Sequence, residues 1–255
     1  MSEHLVEFRS LGHAYPDGTV ALAEISLRVT PGECVAIIGA NGAGKSTLLL
    51  QLTGSLSPTA GELRVGDWSL TRANLPQIRR TVGMLFQDPD NQLFMPTVLD
   101  DVAFGPINQG LPLAEVERRA RAALEQVGAW PLRDKPPYLL SGGEKKRVAI
   151  ATVLSMDPDI LVMDEPTSGL DPLARRQLIA LVAEFRHTRI IATHDMDMVA
   201  ELCARSIVLD NGRLAADAPT AEIFRDDALL ARCRIEKPLA MQACPLCAPR
   251  RPIRG

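Results

Sequence analysis

A glycine-rich loop between a short apolar run and a helical pattern constrains this sequence more than any other feature. Residues 39–47 read Gly-Ala-Asn-Gly-Ala-Gly-Lys-Ser-Thr and fit the template G-x-x-x-x-G-K-[ST]. The preceding run, Cys34–Ile38, is typical of a buried parallel strand, and residues 46–53 continue as a helix. The loop therefore opens a helix, where unpaired N–H groups and the helix dipole favour anions. This arrangement predicts a phosphate site in which Lys45 reaches the outer phosphates and Ser46 binds magnesium.

A second apolar run ends in two carboxylates. Residues 160–163 are Ile-Leu-Val-Met, and Asp164 and Glu165 follow them. By itself this pattern is more typical of a buried strand that ends in a solvated acidic turn. Downstream of a phosphate loop it indicates a Walker B strand, in which Asp164 holds Mg²⁺ through its water shell. Glu165 is then placed to polarise the water that attacks a γ-phosphate.

Further short motifs surround these two in a definite order. Gln87 lies in an aromatic-bearing loop, residues 140–144 read Leu-Ser-Gly-Gly-Glu, residues 168–171 read Ser-Gly-Leu-Asp, and His194 comes last. Taken alone, a Ser-Gly-Gly turn and a histidine at a strand end are ordinary structural features. We expect that the loop at residues 140–144 does not bind the nucleotide held by the first loop of its own chain. The sequence therefore predicts that two copies meet.

The order of these motifs resembles that of the ATP-binding cassette ATPases over nearly all of residues 5–225. The resemblance implies a P-loop α/β cassette with a mostly parallel core sheet, an antiparallel β portion and an inserted helical subdomain. It also implies a head-to-tail dimer, in which each ATP lies between the phosphate loop of one subunit and the Leu-Ser-Gly-Gly loop of the other. The partner is a second ATPase subunit, either an identical chain or a paralogue.

The resemblance also assigns roles to individual residues. Tyr15 is expected to stack on adenine, Asp171 to communicate across the dimer, and His194 to hold the γ-phosphate and the attacking water. Contacts with ATP are expected from Tyr15, Gly39, Asn41, Gly42, Ala43, Gly44, Lys45, Ser46, Thr47, Gln87, Ser141, Gly142, Gly143, Asp171 and His194. Catalytic roles are expected for Glu165, His194, Gln87 and Lys45, and Mg²⁺ ligands are expected from Ser46, Gln87 and Asp164.

Two longer stretches are similar to a narrower group, the energy-coupling factor transporters, and in particular to their cobalt and nickel branch. These stretches are residues 86–106, which begin Phe-Gln-Asp-Pro-Asp-Asn-Gln-Leu-Phe, and residues 140–150, which read Leu-Ser-Gly-Gly-Glu-Lys-Lys-Arg-Val-Ala-Ile. The similarity implies integral membrane transport subunits as partners, reached on the cytoplasmic face of the membrane. Leu93, Phe94 and Val98 are then either part of that contact surface or core residues of the helical subdomain.

Three functions stay open at this point. The first is the ATPase subunit of an energy-coupling factor importer for cobalt or nickel. The second is the ATPase subunit of a vitamin energy-coupling factor importer or of a conventional importer. The third is a non-transport cassette in DNA repair or translation, which would normally carry a coiled-coil insertion or a second cassette. Because a cassette does not touch the imported solute, its sequence says little about what that solute is.

Composition narrows the partners and the location. The chain has 255 residues, of which 46% are hydrophobic and 23% charged, which is ordinary for a globular protein. The net charge of −3 and a pI near 5.9 provide no basic field for nucleic acid, so no nucleic-acid partner is expected. Neither a run of about 18 apolar residues nor the basic and apolar regions of a signal peptide are present in the sequence. We therefore expect a peripheral protein on the cytoplasmic side of the membrane.

Residues 1–225 are predicted to form the cassette domain, with the helical subdomain at about 88–155, and residues 226–255 are predicted to be a tail. Cys34 and Cys203 are expected to be buried, reduced thiols. The tail contains Cys233, Cys244 and Cys247. The Cys-x-x-Cys pair of Cys244 and Cys247 supplies two ligands, whereas a structural zinc site needs four, so we expect a loose tail. The alternative is a metal site that two tails share or that also uses Cys233. His4, His13 and His187 lack ligand-like spacing and are expected at the surface.

Overall fold

The computed structural model describes residues 5–242 of the chain. Six strands of this part form one sheet, in the spatial order β10 (Arg213–Pro219), β9 (Arg205–Asp210), β3 (Cys34–Ile38), β8 (Thr188–Ala192), β7 (Ile160–Asp164) and β6 (Val82–Leu85). Neighbours from β9 to β6 pair in parallel, and β10 pairs antiparallel with β9. Every residue of β3 and β7 is buried, as expected for strands that are covered on both faces.

A second, antiparallel sheet lies over one face of the first. Its strands, in spatial order, are β2 (Val20–Val29), β1 (Val6–Ala14), β4 (Ala60–Val65) and β5 (Trp68–Ser69). Buried side chains of this sheet, including Phe8 and Ile25, join one hydrophobic cluster with Val35 and Ile37 of β3. The mixed α/β architecture predicted from the sequence, with a mostly parallel core sheet and an antiparallel portion, is confirmed.

Helices cover the remaining surfaces of the parallel sheet. They are α1 (Lys45–Leu52), α2 (Leu75–Thr81), α3 (Val98–Asn108), α4 (Leu113–Gln126), α5 (Gly142–Leu154), α6 (Pro172–Ala183), α7 (Met196–Leu202), α8 (Thr220–Ile223) and α9 (Asp227–Cys233). The side chains of Leu48, Leu49 and Leu52 place α1 in the cluster between the two sheets. Most other helices contribute to a larger cluster on the opposite face of β3, where Ala36 and Ile38 point. The alternation of a strand thus places successive residues of β3 in two different cores.

The helices α3, α4 and α5 pack on one another and form the predicted helical region. Leu93 and Val98 are buried there, whereas Phe94 is 64% exposed, so this segment supplies both core and surface. Leu113, the first residue of α4, is 70% exposed, whereas Val116, Ala120 and Leu124 of the same helix are buried. The subdomain limits of 88–155 stay a prediction.

Packing continues past residue 225, where the cassette domain was predicted to end. The helix α9 buries Leu229, Leu230 and Cys233 in the larger cluster, so these residues do not form a loose tail. Cys34 and Cys203 are buried free thiols with their Sγ atoms 3.4 Å apart, as expected for the reduced state. Cys244 and Cys247 lie outside the described residues. Between residues 5 and 242 no cluster of three or more His, Cys, Asp or Glu side chains could hold a metal ion.

None of the helices within residues 5–242 has the length and apolar character needed to cross a membrane.

Gly83 of β6 packs closely against Val153 of α5 and Pro158. A Cβ atom added at this position would lie 2.3 Å from Cγ1 of Val153 and 2.9 Å from Cγ of Pro158. We expect Gly83→Ala to lower the free energy of unfolding by about 1–3 kcal/mol through overpacking, measured by urea titration. Because Val153→Ala removes the nearest obstacle, the double variant should lose at least about 0.5 kcal/mol less than the sum of the single losses. Simple additivity would contradict this account of the contact.

Candidate functional site

Four neighbouring parallel strands bring the predicted site residues to one edge of the sheet. The glycine loop follows β3, Gln87 follows β6, Asp164 ends β7, and His194 follows β8. The carboxyl ends of adjacent parallel strands meet at the same edge, which is where open α/β sheets bind ligands. Residues that are far apart in the sequence therefore converge.

Two glycines of the loop at residues 39–44 are required by close contacts with other backbone segments. Gly39 and Gly44 have φ angles of 156° and 101°. A Cβ atom on Gly39 would lie 2.3 Å from the carbonyl oxygen of Leu209, and one on Gly44 would lie 2.6 Å from that of Ala21. Glycine is thus needed at both positions for steric as well as conformational reasons.

The ammonium group of Lys45 is folded into this loop. Its Nζ atom donates hydrogen bonds to the carbonyl oxygens of Gly39, at 2.8 Å, and of Ala40, at 3.1 Å. The side chain is buried, and burial lowers its pKa, whereas the charges of Glu165 and Asp164 act in the opposite direction. The ammonium group of Lys45 therefore places a positive charge at the N-terminus of α1, beside the expected phosphate position.

Asp164 has the properties of a cation ligand. Its Oδ1 atom is buried and has no hydrogen-bond partner among the described residues. Burial raises the pKa of this carboxyl group, and the Ser46 hydroxyl and the charges of Lys45 and Lys146 oppose the rise. A carboxylate, a hydroxyl and the amide of Gln87 are oxygen donors of the kind that Mg²⁺ prefers. The residues present fit a magnesium ion.

The carboxylate of Glu165 is held by the segment that follows β8. Its Oε2 atom accepts hydrogen bonds from the hydroxyl of Thr193 at 3.0 Å and from the backbone N–H of His194 at 3.2 Å. The Nδ1 atom of His194 lies 2.8 Å from the same oxygen. Glu165 itself has a φ of 45°, which is unusual for a residue other than glycine and is often found at functional sites.

A cavity of about 430 Å³ collects most of the predicted residues. Those that line it are Tyr15, Asn41, Gly42, Gly44, Lys45, Ser46, Thr47, Gln87, Glu165 and His194. Gly39, Ala43 and Asp164 belong to the same loop and strand end but do not line the cavity. The lining also includes Thr19, Val20 and Ala21, which sequence reasoning missed. Val20 is 63% exposed although it lies in a strand, and it pairs with Ala14 beside Tyr15. An apolar strand residue close to a tyrosine that is predicted to stack on a base was the sequence signal that could have identified Val20 as a cavity residue.

Tyr15 is oriented by contacts on two sides. Its hydroxyl lies 3.0 Å from the Oγ1 atom of Thr47, and its ring is met edge-on by His13 at a centroid distance of 4.9 Å. His13 is buried, and its Nδ1 atom lies 2.9 Å from the carbonyl oxygen of Ser57. The expectation of a surface position for His13 was therefore wrong. Its position in a strand that β2 and β4 cover on either side decides its burial, and no local pattern encodes this.

Two lysines of α5 hold the loop that contains Gln87. Lys146 is 1% exposed, and its Nζ atom donates to the backbone carbonyl of Gln87 at 2.6 Å. The adjacent Lys145 lies 2.6 Å from a carboxylate oxygen of Asp90. The sequence identified both lysines only as subfamily markers. A run of charged residues is ordinarily solvated, so the burial of Lys146 had no signal in the sequence.

Ser141, Gly142 and Gly143 of the Leu-Ser-Gly-Gly loop line a separate cavity of about 350 Å³. Ser141 caps α5 in a reciprocal arrangement with Glu144, and Gly142 and Gly143 begin the helix. Asp171 lines the same cavity and caps α6, accepting from the N–H groups of Leu173 and Ala174 at 2.9 Å each. The structure therefore does not bring Ser141, Gly142, Gly143 or Asp171 to the cavity that contains Lys45.

Comparison with known proteins identifies the family. Residues 22–168 match the family described as ABC transporter. The chain is 67% identical to a Geobacter sulfurreducens protein that is named provisionally as an ABC transporter ATP-binding protein, over 97% of this chain and 99% of that protein. It is 48% identical to the energy-coupling factor transporter ATP-binding protein EcfA of Methanothermobacter thermautotrophicus, over 92% of this chain and 77% of EcfA.

Solved structures agree with this result. The chain is similar to cbiO1 of Clostridium perfringens, described as part of the ABC transporter complex cbiONQ, with a TM-score of 0.81, 39% identity, and coverage of 91% of this chain and 94% of cbiO1. An ATP-binding cassette solved as a dimer in a post-hydrolysis state with ADP and Pi gives a TM-score of 0.77 at 28% identity, covering 84% and 98% of the two chains. The chain therefore belongs to the ABC transporter family and is an ABC-type ATPase.

Proposed function

We propose that this protein is the ATP-hydrolysing subunit of an energy-coupling factor importer for a transition-metal ion, cobalt or nickel. The proposal has two layers: a shared nucleotide site between two ATPase subunits, and the identity of the transported solute. The first rests on the geometry of the two cavities. The second rests on the resemblance of residues 86–106 and 140–150 to the cobalt and nickel branch.

The observation that carries the shared site is the separation of its two halves within one chain. One cavity contains the phosphate loop, and another contains Ser141, Gly142, Gly143 and Asp171. Both are built at helix N-termini, α1 and α5, which favour the binding of phosphate groups. Head-to-tail packing of two subunits would bring unlike halves together at two equivalent sites. The dimeric state of the solved cassette with ADP and Pi supports this arrangement.

The main residues in and beside the first cavity then have defined tasks. Lys45 and the loop N–H groups bind the outer phosphates, and Tyr15 with Val20 offers apolar surface to the base. Ser46, Gln87 and Asp164 would hold Mg²⁺, which when bound neutralises charge that develops on the phosphate oxygens. Glu165 accepts a proton from the attacking water, and His194 orients that water and the γ-phosphate. Closing of the dimer on ATP and reopening after hydrolysis is the motion passed to the membrane.

An exposed apolar surface on the helical region supports contact with membrane subunits. Phe94, Phe104 and Ile107 are 64%, 40% and 55% exposed, and the two phenyl rings pack edge-on at a centroid distance of 5.0 Å. Apolar groups of this size are costly to leave in water unless a partner covers them. We place the protein on the cytoplasmic side of the membrane, held there by integral transport subunits that contact this surface.

Replacement of Glu165 tests the proposed chemistry. We expect Glu165→Gln to reduce steady-state ATP hydrolysis by about 100-fold or more, since a general base contributes at least that much. The variant should still bind ATP and should accumulate as a dimer in size-exclusion chromatography with ATP and Mg²⁺. Glu184→Gln, on the exposed end of α6, is the matched control and should behave like the wild type. Wild-type turnover in Glu165→Gln would remove this glutamate from the mechanism.

Replacement of Ser141 tests the shared site. Aspartate caps helices about as well as serine, so Ser141→Asp keeps a side-chain acceptor for the N–H of Glu144. It loses the hydroxyl that donates to the Glu144 carboxylate and adds a negative charge where the partner's γ-phosphate is expected. We expect turnover and ATP-dependent dimerisation to be lost, with the affinity of the monomer for ATP unchanged within about twofold. Ser141→Asn retains the cap without the charge and should retain most activity. A large loss of ATP affinity in monomeric Ser141→Asp would mean that the loop serves its own chain.

The solute is tested by transport. When the ATPase is reconstituted with its co-purifying membrane subunits, we expect ATP-dependent accumulation of labelled cobalt or nickel ions in vesicles and none with Glu165→Gln. Labelled vitamins serve as the alternative substrates. Uptake of a vitamin with no uptake of either metal would favour a vitamin importer. Co-purification with ribosomes or DNA in place of a membrane subunit would support a non-transport cassette.

A further inference from the structure

We infer that Arg175 and Asp195 are positioning residues that couple the partner-facing loop of Asp171 to the carboxylate of Glu165. The inference rests on the role proposed for Glu165 and adds a route by which the state of the dimer reaches it. The route consists of hydrogen bonds between α6, the start of α7 and the strand end that carries Thr193.

Asp195 is the centre of this route. Its carboxylate forms a bidentate pair with the guanidinium of Arg175, with Nε 2.6 Å from Oδ2. It also accepts from the hydroxyl of Thr167 at 2.9 Å and from the backbone N–H of Met198 at 3.0 Å. The Asp195 side chain is 11% exposed. Burial alone would raise its pKa, but the hydrogen bonds from Arg175, Met198 and Thr167 outweigh burial and hold the pKa below its ordinary value. The carboxylate is therefore a fixed anion.

From Asp195 the route reaches Glu165 through one buried hydroxyl. The backbone N–H of Asp195 donates to Oγ1 of Thr193 at 3.0 Å, and that hydroxyl donates to Oε2 of Glu165, also at 3.0 Å. Thr193 is fully buried. Because a hydroxyl has a single proton, accepting from Asp195 aligns its donation toward Glu165. The orientation of the glutamate thus depends on where the backbone of Asp195 lies.

At its other end the route reaches the loop that is expected to face the second subunit. Asp171 caps α6 with its side chain, and its carbonyl oxygen accepts from the N–H of Arg175 at 2.9 Å. Asp171 is exposed, and Leu173 beside it is 69% exposed. A shift of this loop on dimer closure moves the first turn of α6, and the rigid guanidinium fork transmits the shift to Asp195. A lysine would hold the charge without the two-point geometry.

The chain offers a matched control one residue away. Arg176 also joins α6 to α7, through a pair with Glu201 in which Nη2 lies 3.1 Å from Oε1. These side chains are 61% and 39% exposed, and the described contacts of Glu201 do not lead to Glu165. Loss of either pair removes a link between the same two helices. Only loss of the Arg175 pair should affect the chemical step.

The test compares Arg175→Gln, Arg175→Lys and Arg176→Gln by kinetics, ATP binding and thermal unfolding. For Arg175→Gln we expect kcat to fall about tenfold or more, as small misplacements of catalytic groups do. The KM and the Kd for ATP should stay within about twofold, because ATP-binding residues are unaltered. Arg175→Lys should recover part of kcat, and Arg176→Gln should match the wild type. A kcat of Arg175→Gln within twofold of wild type, or an equal fall in Arg176→Gln, would overturn the inference.

A double-mutant cycle with Thr193→Val tests the route itself. If Arg175 acts through the Thr193 hydroxyl, the double variant Arg175→Gln/Thr193→Val should lose no more kcat than the more damaged single variant. Multiplied losses would show two independent effects and would overturn the route. Failure of the proposed function gives a different result, namely that Glu165→Gln keeps wild-type turnover. An inactive Glu165→Gln with an unaffected Arg175→Gln would leave the proposed function standing and remove only the inference.

Discussion

The parallel pairing of β3, β8, β7 and β6 is the constraint on which the rest of the structure depends. Hydrogen bonding between these strands fixes which residues stand side by side where the strands end. Met163 and Asp164 of β7 pair with Ile191 and Ala192 of β8, and this register places the carboxylates beside the segment of His194. A slip of one residue would turn the side chains of a strand to the opposite face and separate Asp164 from Ser46. The chemistry of the cavity is therefore set by backbone pairing between strands that are largely buried.

Much of this arrangement could be predicted from the sequence, because the decisive motifs are local. The strand Cys34–Ile38 was predicted with its observed limits, and the helix predicted at 46–53 is observed at Lys45–Leu52. An apolar run, a glycine loop and a helical pattern each leave a signature within a few residues. The same applies to the carboxylates at the end of β7. The roles assigned to individual site residues remain predictions that their positions support.

The residues that the sequence did not reveal owe their importance to distant partners. Lys146 is buried because the loop of Gln87 packs over it, and His13 is buried because neighbouring strands enclose it. Arg175 and Asp195 look like surface residues of two helix starts until the structure pairs them. Val20 is a strand residue whose exposure matters only because Tyr15 lies next to it. Local patterns encode which element forms, whereas these cases depend on which elements meet.

The contact between Lys146 and the carbonyl of Gln87 links the two nucleotide sites of the proposed dimer mechanically. Lys146 belongs to α5, the helix that Ser141 caps. The loop of Gln87 and the Ser-Gly-Gly turn are therefore both attached to this helix. In the dimer proposed above, the loop of Gln87 contacts the chain's own ATP, whereas the Ser-Gly-Gly turn contacts the ATP that the partner subunit holds. A push from the membrane side on residues 94–104 then cannot be confined to one of the two ATP molecules. In that dimer, each movement of the helical region would alter contacts with both ATP molecules.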